Sequence, residues 1–138
     1  RVRRADYEQV ITLIEQTSET ERKFLALSSK YSLIRQTIRS ERHCYAAFCR
    51  GELLGFLRES GRPGGYSLLE EIVVSPKHRN QGIASALLRY YHNCFPRTMT
   101  KTNAKNRAII HLLKKSGYTA ENPDAPRIIN WIRKKAHR

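Results

Sequence analysis

Near residue 75 the apolar pattern of the chain changes period. Tyr66–Val74 gathers Leu68, Leu69, Ile72, Val73 and Val74 into one short run, which predicts a strand closed by Pro76. Gly82–Asn93 instead sets Ile83, Leu87, Leu88 and Tyr91 on one face at helical spacing. A strand that runs almost directly into a helix commits the chain to an α/β sheet. The joining segment is Val73-Val74-Ser75-Pro76-Lys77-His78-Arg79-Asn80-Gln81-Gly82-Ile83-Ala84. The first N–H groups of the following helix have no intrahelical acceptor, so they point into this segment. The helix dipole adds about half a positive charge there. Lys77 and Arg79 add full charges, and Gly82 and Ala84 let a ligand approach the backbone. Such a turn suits a pyrophosphate. It contains neither GxGxxG nor GxxxxGK[ST], which disfavours the dinucleotide fold and the P-loop.

The same reading extends along the chain. Val2–Ala5 is expected as a short edge strand, and Asp6 as the cap of a helix over Tyr7–Thr17 with Val10, Ile11 and Ile14 on one face. A second helical stretch starts at Thr20. His43–Arg50 and Leu53–Glu59 form a hairpin about Gly51-Glu52. After the central strand and helix come a strand at Arg97–Thr102 and a helix at Ala104–Ser116, with Ile109, Leu112 and Leu113 inward and Gly117 as its C′ residue. A last strand covers Arg127–Arg133. The expected order is β-α-α-β-β-β-α-β-α-β. That is a mixed, mostly antiparallel sheet of six to seven strands, with about four helices on its two faces.

The 138 residues make one domain, 1–138, with no linker or repeat. No run of about 18 apolar residues exists, so no transmembrane helix is expected. Cys44, Cys49 and Cys94 form no CxxC pair and are expected as buried, reduced thiols of a cytoplasmic protein. The five scattered histidines are expected at the solvated surface and suggest no metal site. The net charge is +14 and is unevenly placed. Residues 1–74 carry 12 basic and 10 acidic side chains, whereas residues 75–138 carry 14 basic and 2 acidic. The second half therefore attracts anions: a phosphorylated cofactor, nucleic acid or an acidic protein face.

Two blocks of this half carry a family likeness. Arg79-Asn80-Gln81-Gly82-Ile83-Ala84, preceded by Leu69-Glu70-Glu71-Ile72-Val73-Val74-Ser75-Pro76, resembles the acyl-CoA loop and fourth strand of the GNAT superfamily of N-acyltransferases. Asn106–Tyr118 resembles that family's Asn-led helix ending in Gly-Phe/Tyr, and Tyr45–Phe56 its second and third strands. The likeness implies a GNAT-like fold that binds acetyl-CoA as co-substrate and transfers its acetyl group directly to a primary amine. The acceptor would be a small molecule, a protein N-terminus or a lysine. It further implies that Ile72, Val73 and Val74 hold the pantetheine arm where the sheet splays. Lys77 and the segment Arg79, Asn80, Gln81, Gly82, Ile83, Ala84 and Ser85 would hold the pyrophosphate, and Asn106 would contact the cofactor.

The sequence departs from the family at Leu113, where many members carry a tyrosine that protonates the leaving thiolate. A thiolate leaves unassisted more readily than most groups, since its conjugate acid has a pKa near about 8.5. Tyr118, Tyr91 or water would stand in for that tyrosine. The base is expected at Glu70 or Glu71, which point to opposite faces of a regular strand. Parity with Leu68 favours Glu70; a bulge would favour Glu71. An ion pair with a neighbouring Arg or Lys is the competing role for both. Two other functions compete: a non-catalytic acyl-CoA-binding regulatory module, suggested by Leu113, and an RNA-associated acetyltransferase, suggested by the basic tail. An acidic macromolecular partner fits the charge. The state is a monomer or a homodimer, the latter through Trp131 on an edge strand.

Overall fold

The structure is a computed structural model and describes residues 4–16, 44–61 and 63–134. The helical stretch expected from Thr20 lies outside these residues, as do Val2 and Arg3. Arg4–Asp6 is a turn of 3-10 helix rather than a strand, and it leads straight into α1, Tyr7–Gln16. α1 buries Val10 and Leu13 against Cys44, Leu53, Phe56 and Val73 on one face of the sheet.

The hairpin pairs β1, Cys44–Cys49, with β2, Glu52–Gly61. Its turn is Arg50-Gly51, one residue earlier than expected. Both residues have positive φ, 50° and 79°, as a type I′ turn requires. The Gln9 side chain clamps this end to α1. Its Nε2 donates to Gly51 O at 3.2 Å, and its Oε1 accepts from Leu53 N at 2.9 Å.

β3, Ser67–Val74, runs antiparallel to β2. α2, Ile83–Cys94, then crosses to β4, Thr98–Asn103, which is parallel to β3. α3, Arg107–Lys115, β5, Thr119–Ala120, and β6, Ile128–Arg133, complete the chain. The sheet order is β1-β2-β3-β4-β6-β5, and every pair except β3–β4 is antiparallel. The mixed, mostly antiparallel architecture is the expected one. β5 was not expected; two residues carry no period to read.

α2 and α3 cover the face opposite α1. Leu87, Leu88, Tyr91, Ile109 and Leu113 pack there on Leu57, Leu69, Ile72, Ile129 and Trp131. β4 faces this core with Thr98, Thr100 and Thr102, all buried. Each hydroxyl has a partner: Thr98 donates to the Tyr118 hydroxyl at 2.7 Å, Thr100 donates to Leu69 O at 2.9 Å, and Thr102 accepts from Trp131 Nε1 at 2.8 Å. A buried hydroxyl must be paired in this way to be tolerated.

Three expectations are corrected. Trp131 is not at an edge: β6 lies between β4 and β5, and Trp131 is 1% exposed. Cys49 and Cys94 are exposed, and only Cys44 is buried. His92 is half-buried, 2.8 Å from the Tyr118 hydroxyl. Burial first, and the nearby Arg133 charge second, hold it neutral down to about pH 4.

Two irregularities in β3 shape the site. The first is a bulge. Arg58 pairs with Glu71 and Glu59 with Leu69, which leaves Glu70 as the extra residue. Leu69 and Ile72 therefore both reach the α2–α3 core, although they are three residues apart. The second is a splay. β3 and β4 pair only over Ser67–Leu69 and Thr98–Thr100. Beyond that point Glu70–Val74 turns an edge toward β4 that β4 does not bond.

Candidate active site

A cavity of about 360 Å³ opens where β3 and β4 part. Glu71, Ile72, Val73 and Val74 form one wall, and the turn into α2 forms the next with Arg79, Asn80, Gly82, Ile83, Ala84 and Ser85. Asn106 closes the third side at the start of α3. Of the residues expected at the cofactor, Lys77 and Gln81 do not line this cavity. His78, Ala108, Ile109 and Leu112 line it without having been singled out as cofactor contacts. Their helical spacing gave Ile109 and Leu112 as inward, but could not say that α3 begins beside the splay.

The turn is built for an anion. Gly82 is the N-cap of α2 with φ 78° and ψ 12°, a left-handed conformation that glycine adopts without penalty. It has no side chain to cap the helix, and no acidic residue stands in the first turn. The first amides of α2 therefore face the cavity mouth without a carboxylate competing for them. Asn80 also has positive φ, 62°, which asparagine tolerates better than most residues. Gly55 lets β2 and β3 come close behind this wall, since a Cβ there would stand 2.7 Å from Val73 O. Asn106 caps α3, its Oδ1 accepting from Ile109 N at 3.2 Å.

The two glutamates are on one face, not two, because of the bulge. Glu70 accepts from Ser60 Oγ at 2.7 Å, and Glu71 accepts from Arg58 Nη2 at 3.3 Å. Arg58 and Ser60 are two apart on β2 and so share a face. Glu71 lines the cavity and Glu70 does not. Glu71 is 2% exposed. Burial raises its carboxyl to about pH 8, the Arg58 charge opposing and the Glu70 charge assisting the rise. Arg58 also lies 3.9 Å from Glu70. The competing ion pair is thus present alongside a carboxyl held near neutrality.

Tyr118 stands elsewhere. Its hydroxyl bonds Thr98, which pairs with Ser67 at the far end of β3. At about 3.3 Å per residue that end lies roughly 13 Å from Glu71, and Tyr118 does not line the cavity. Burial pushes Tyr118 up to about 12. Tyr91 is also buried at that end, donating to Ser67 Oγ at 2.8 Å, and Ser67 in turn donates to Glu59 at 2.8 Å. Leu113 is fully buried and does not line the cavity. Among the described residues no cluster of His, Cys, Asp and Glu is placed to hold a metal. No helix among them is long and apolar enough to cross a membrane.

The fold superposes on those of acetyltransferases of known structure. A GNAT-family acetyltransferase from Bacillus cereus superposes with a TM-score of 0.77 at 21% identity, over 99% of this chain and 96% of that one. The PaiA N-acetyltransferase of Thermoplasma acidophilum, solved with coenzyme A, gives 0.72 at 17% identity over 96% and 94%. The ribosomal-protein-S18-alanine N-acetyltransferase of Escherichia coli gives 0.73 at 15% over 99% and 93%. No curated protein sequence matches the chain. The family model described as "Acetyltransferase (GNAT) family" matches residues 9–118, and the chain belongs to that family.

Proposed function

We propose that the protein transfers an acetyl group from acetyl-CoA directly to a primary amine, with Glu71 as proton acceptor. The observation that carries this reading is the three-residue pairing of β3 and β4, which leaves an unbonded strand edge beside the amino end of α2. That edge, Ile72–Val74, suits the amides of a pantetheine arm. The turn at Arg79–Ser85 suits the diphosphate, and Asn106 stands where the arm would pass between them. The amine nitrogen attacks the thioester carbonyl, the C–S bond breaks, and coenzyme A leaves as thiolate. The proton released from nitrogen goes to the Glu71 carboxylate, which lies at the cavity wall within the bulge. Glu70 is tied to Ser60 outside the cavity, so we place the base at Glu71. The buried Tyr118 is too remote to protonate the thiolate, which leaves unassisted or takes a proton from water.

The charge of the fold supports an acceptor that is itself negative or sits on an acidic macromolecule. α3 turns Arg107, His111, Lys114 and Lys115 to solvent at i, i+4, i+7 and i+8, one face of the helix. The exposed free thiols of Cys49 and Cys94 support a reducing compartment, the cytoplasm.

The test is thermal unfolding of the protein with acetyl-CoA, free coenzyme A and ATP. At about 100 times Kd a ligand adds roughly 2.7 kcal/mol, several degrees for a domain of this size. A shift with both CoA species well above that with ATP is expected, followed by acetyl transfer in an amine screen. Equal shifts with all three would mean that only the positive field is being read, and no shift would sink the cofactor reading.

A further inference from the structure

Arg58 of β2 is 6% exposed, so a full positive charge stands almost out of water. A guanidinium keeps its proton in a protein, and one buried this far needs negative charge beside it. Two carboxylates meet it. Arg58 and Glu71 are direct cross-strand partners, and the bulge adds Glu70 beside that pair. One atom serves both: Arg58 Nη2 stands 3.3 Å from Glu71 Oε1 and 3.9 Å from Glu70 Oε2. A regular strand would turn the second carboxylate to the opposite face. Glu59, the next residue on β2, accepts instead from Ser67 Oγ at 2.8 Å. Among the described residues, His78 and Arg79 on the turn before α2 are the other ionisable side chains that line the cavity with Glu71.

Carboxylates gathered at one nitrogen repel each other, so the more deeply buried one ionises against the charge of the other. The Glu70 side chain is 22% exposed, and its charge is met by the Ser60 hydroxyl, which donates to it at 2.7 Å. The Glu71 side chain is 3% exposed. Glu71 is therefore the glutamate that holds a proton. Arg58 is the group that lets the proton go, because its charge opposes the rise that burial and Glu70 give Glu71. Arg58 does not itself line the cavity, so it acts on the chemistry only through Glu71.

We propose that Arg58 is a positioning residue of the acetyl transfer. Held between two glutamates, it keeps the Glu71 carboxyl at the cavity wall and receives that carboxyl's charge whenever it stands ready as base. Its part in the reaction rests on the base reading above; its hold on the Glu71 proton does not.

Carbon-13 NMR of the whole chain, labelled at its glutamate carboxyls, reads the proton directly, and Glu71→Gln assigns the resonance. His78 and Arg79 are unchanged in every chain compared. Arg58→Gln should move the Glu71 midpoint upward by at least about one pH unit, and Arg58→Lys, which keeps the charge, by clearly less. Adding Glu70→Gln to Arg58→Gln removes the repelling charge and should bring the midpoint back toward that of the parent. Rates with acetyl-CoA and an acidic peptide bearing one free amine should follow. At pH 7 kcat/KM of Arg58→Gln should fall about tenfold, and recover as pH rises. A merely structural arginine would lower the melting temperature and leave every midpoint where the parent has it; that result overturns the proposal. If Arg58→Gln does not fold, the comparison is made within Glu70→Gln, where adding Arg58→Gln should still raise the midpoint. Equal midpoints there overturn the proposal as well. Midpoints that move while the parent's rate ignores pH remove the base reading and leave Arg58's hold on the proton standing.

Discussion

Glu71 is where a single side chain decides most. Its carboxyl is held to about pH 8, chiefly by burial, against 4.5 for an ordinary glutamate. The folded chain therefore keeps a proton that the unfolded chain has lost. This group's contribution to stability is full below about pH 4.5, falls as pH rises through 8, and is flat above. Glu71→Gln removes that slope, so the melting temperature of the variant should fall less between pH 5 and 8 than that of the parent. The catalytic consequence has the opposite sign. A base must be ionised, so kcat/KM should climb with pH toward a plateau above about 8, and Glu71→Gln should lose at least about a hundredfold. Glu70→Gln removes the neighbouring charge that assists the rise, so both profiles should shift modestly to lower pH while the plateau rate stays that of the parent. A Glu71→Gln enzyme with full activity would remove Glu71 as the base. Sequence parity could not choose between the two glutamates. The bulge that puts both on one face is fixed by pairing with β2, through Arg58 and Glu59, and not by anything within Ser67–Val74.

Among the elements, α3 does two jobs at its two ends. Its start is a cap that is also a cavity wall, since Asn106 holds Ile109 N and lines the cavity. Its end is a Schellman turn remote from the cavity. Tyr118 N donates to Leu113 O at 3.0 Å and Gly117 N to Lys114 O at 3.2 Å, with Gly117 at φ 92°. Two substitutions should separate these jobs. Asn106→Ala should cost about 1 kcal/mol of stability and also weaken acetyl-CoA binding. Gly117→Ala forces a side chain into the left-handed region and should cost about 1–2 kcal/mol, leaving acetyl-CoA affinity unchanged. Denaturant unfolding and calorimetry on both variants check this; equal loss of affinity would mean that α3 moves as one body. The end of α3 was legible in the sequence, because a glycine after a basic last turn is a local signal; the start was expected at Ala104, three residues before the observed Arg107. β5 and the internal place of β6 were not legible. A two-residue strand has no period, and the β4-β6-β5 order depends on which edge each segment finds after the chain has crossed the sheet.

Over the whole molecule, the period change near residue 75 gave the α/β class and the place of the site, because the same strand, turn and helix create both. The charge split gave the sign of the ligand but not its identity. The structure adds where the excess charge is displayed. Arg107 stands at the cavity side of α3, and Lys115 stands eight residues on, about 12 Å along the helix. A cofactor diphosphate at the turn into α2 cannot engage both ends of that face. Under the proposed reading, Lys114 and Lys115, exposed at the far end, are the side chains expected to meet the acceptor. Lys114→Glu with Lys115→Glu should leave the acetyl-CoA KM within about twofold. The same double change should lower kcat/KM about tenfold for an amine on an acidic peptide, and little for the same amine on a neutral one. The parent's preference for the acidic peptide should shrink as salt rises from about 50 to 500 mM, since the Debye length falls to a few ångströms. A preference that survives high salt and the double reversal would place acceptor selection inside the cavity rather than on the basic face of α3.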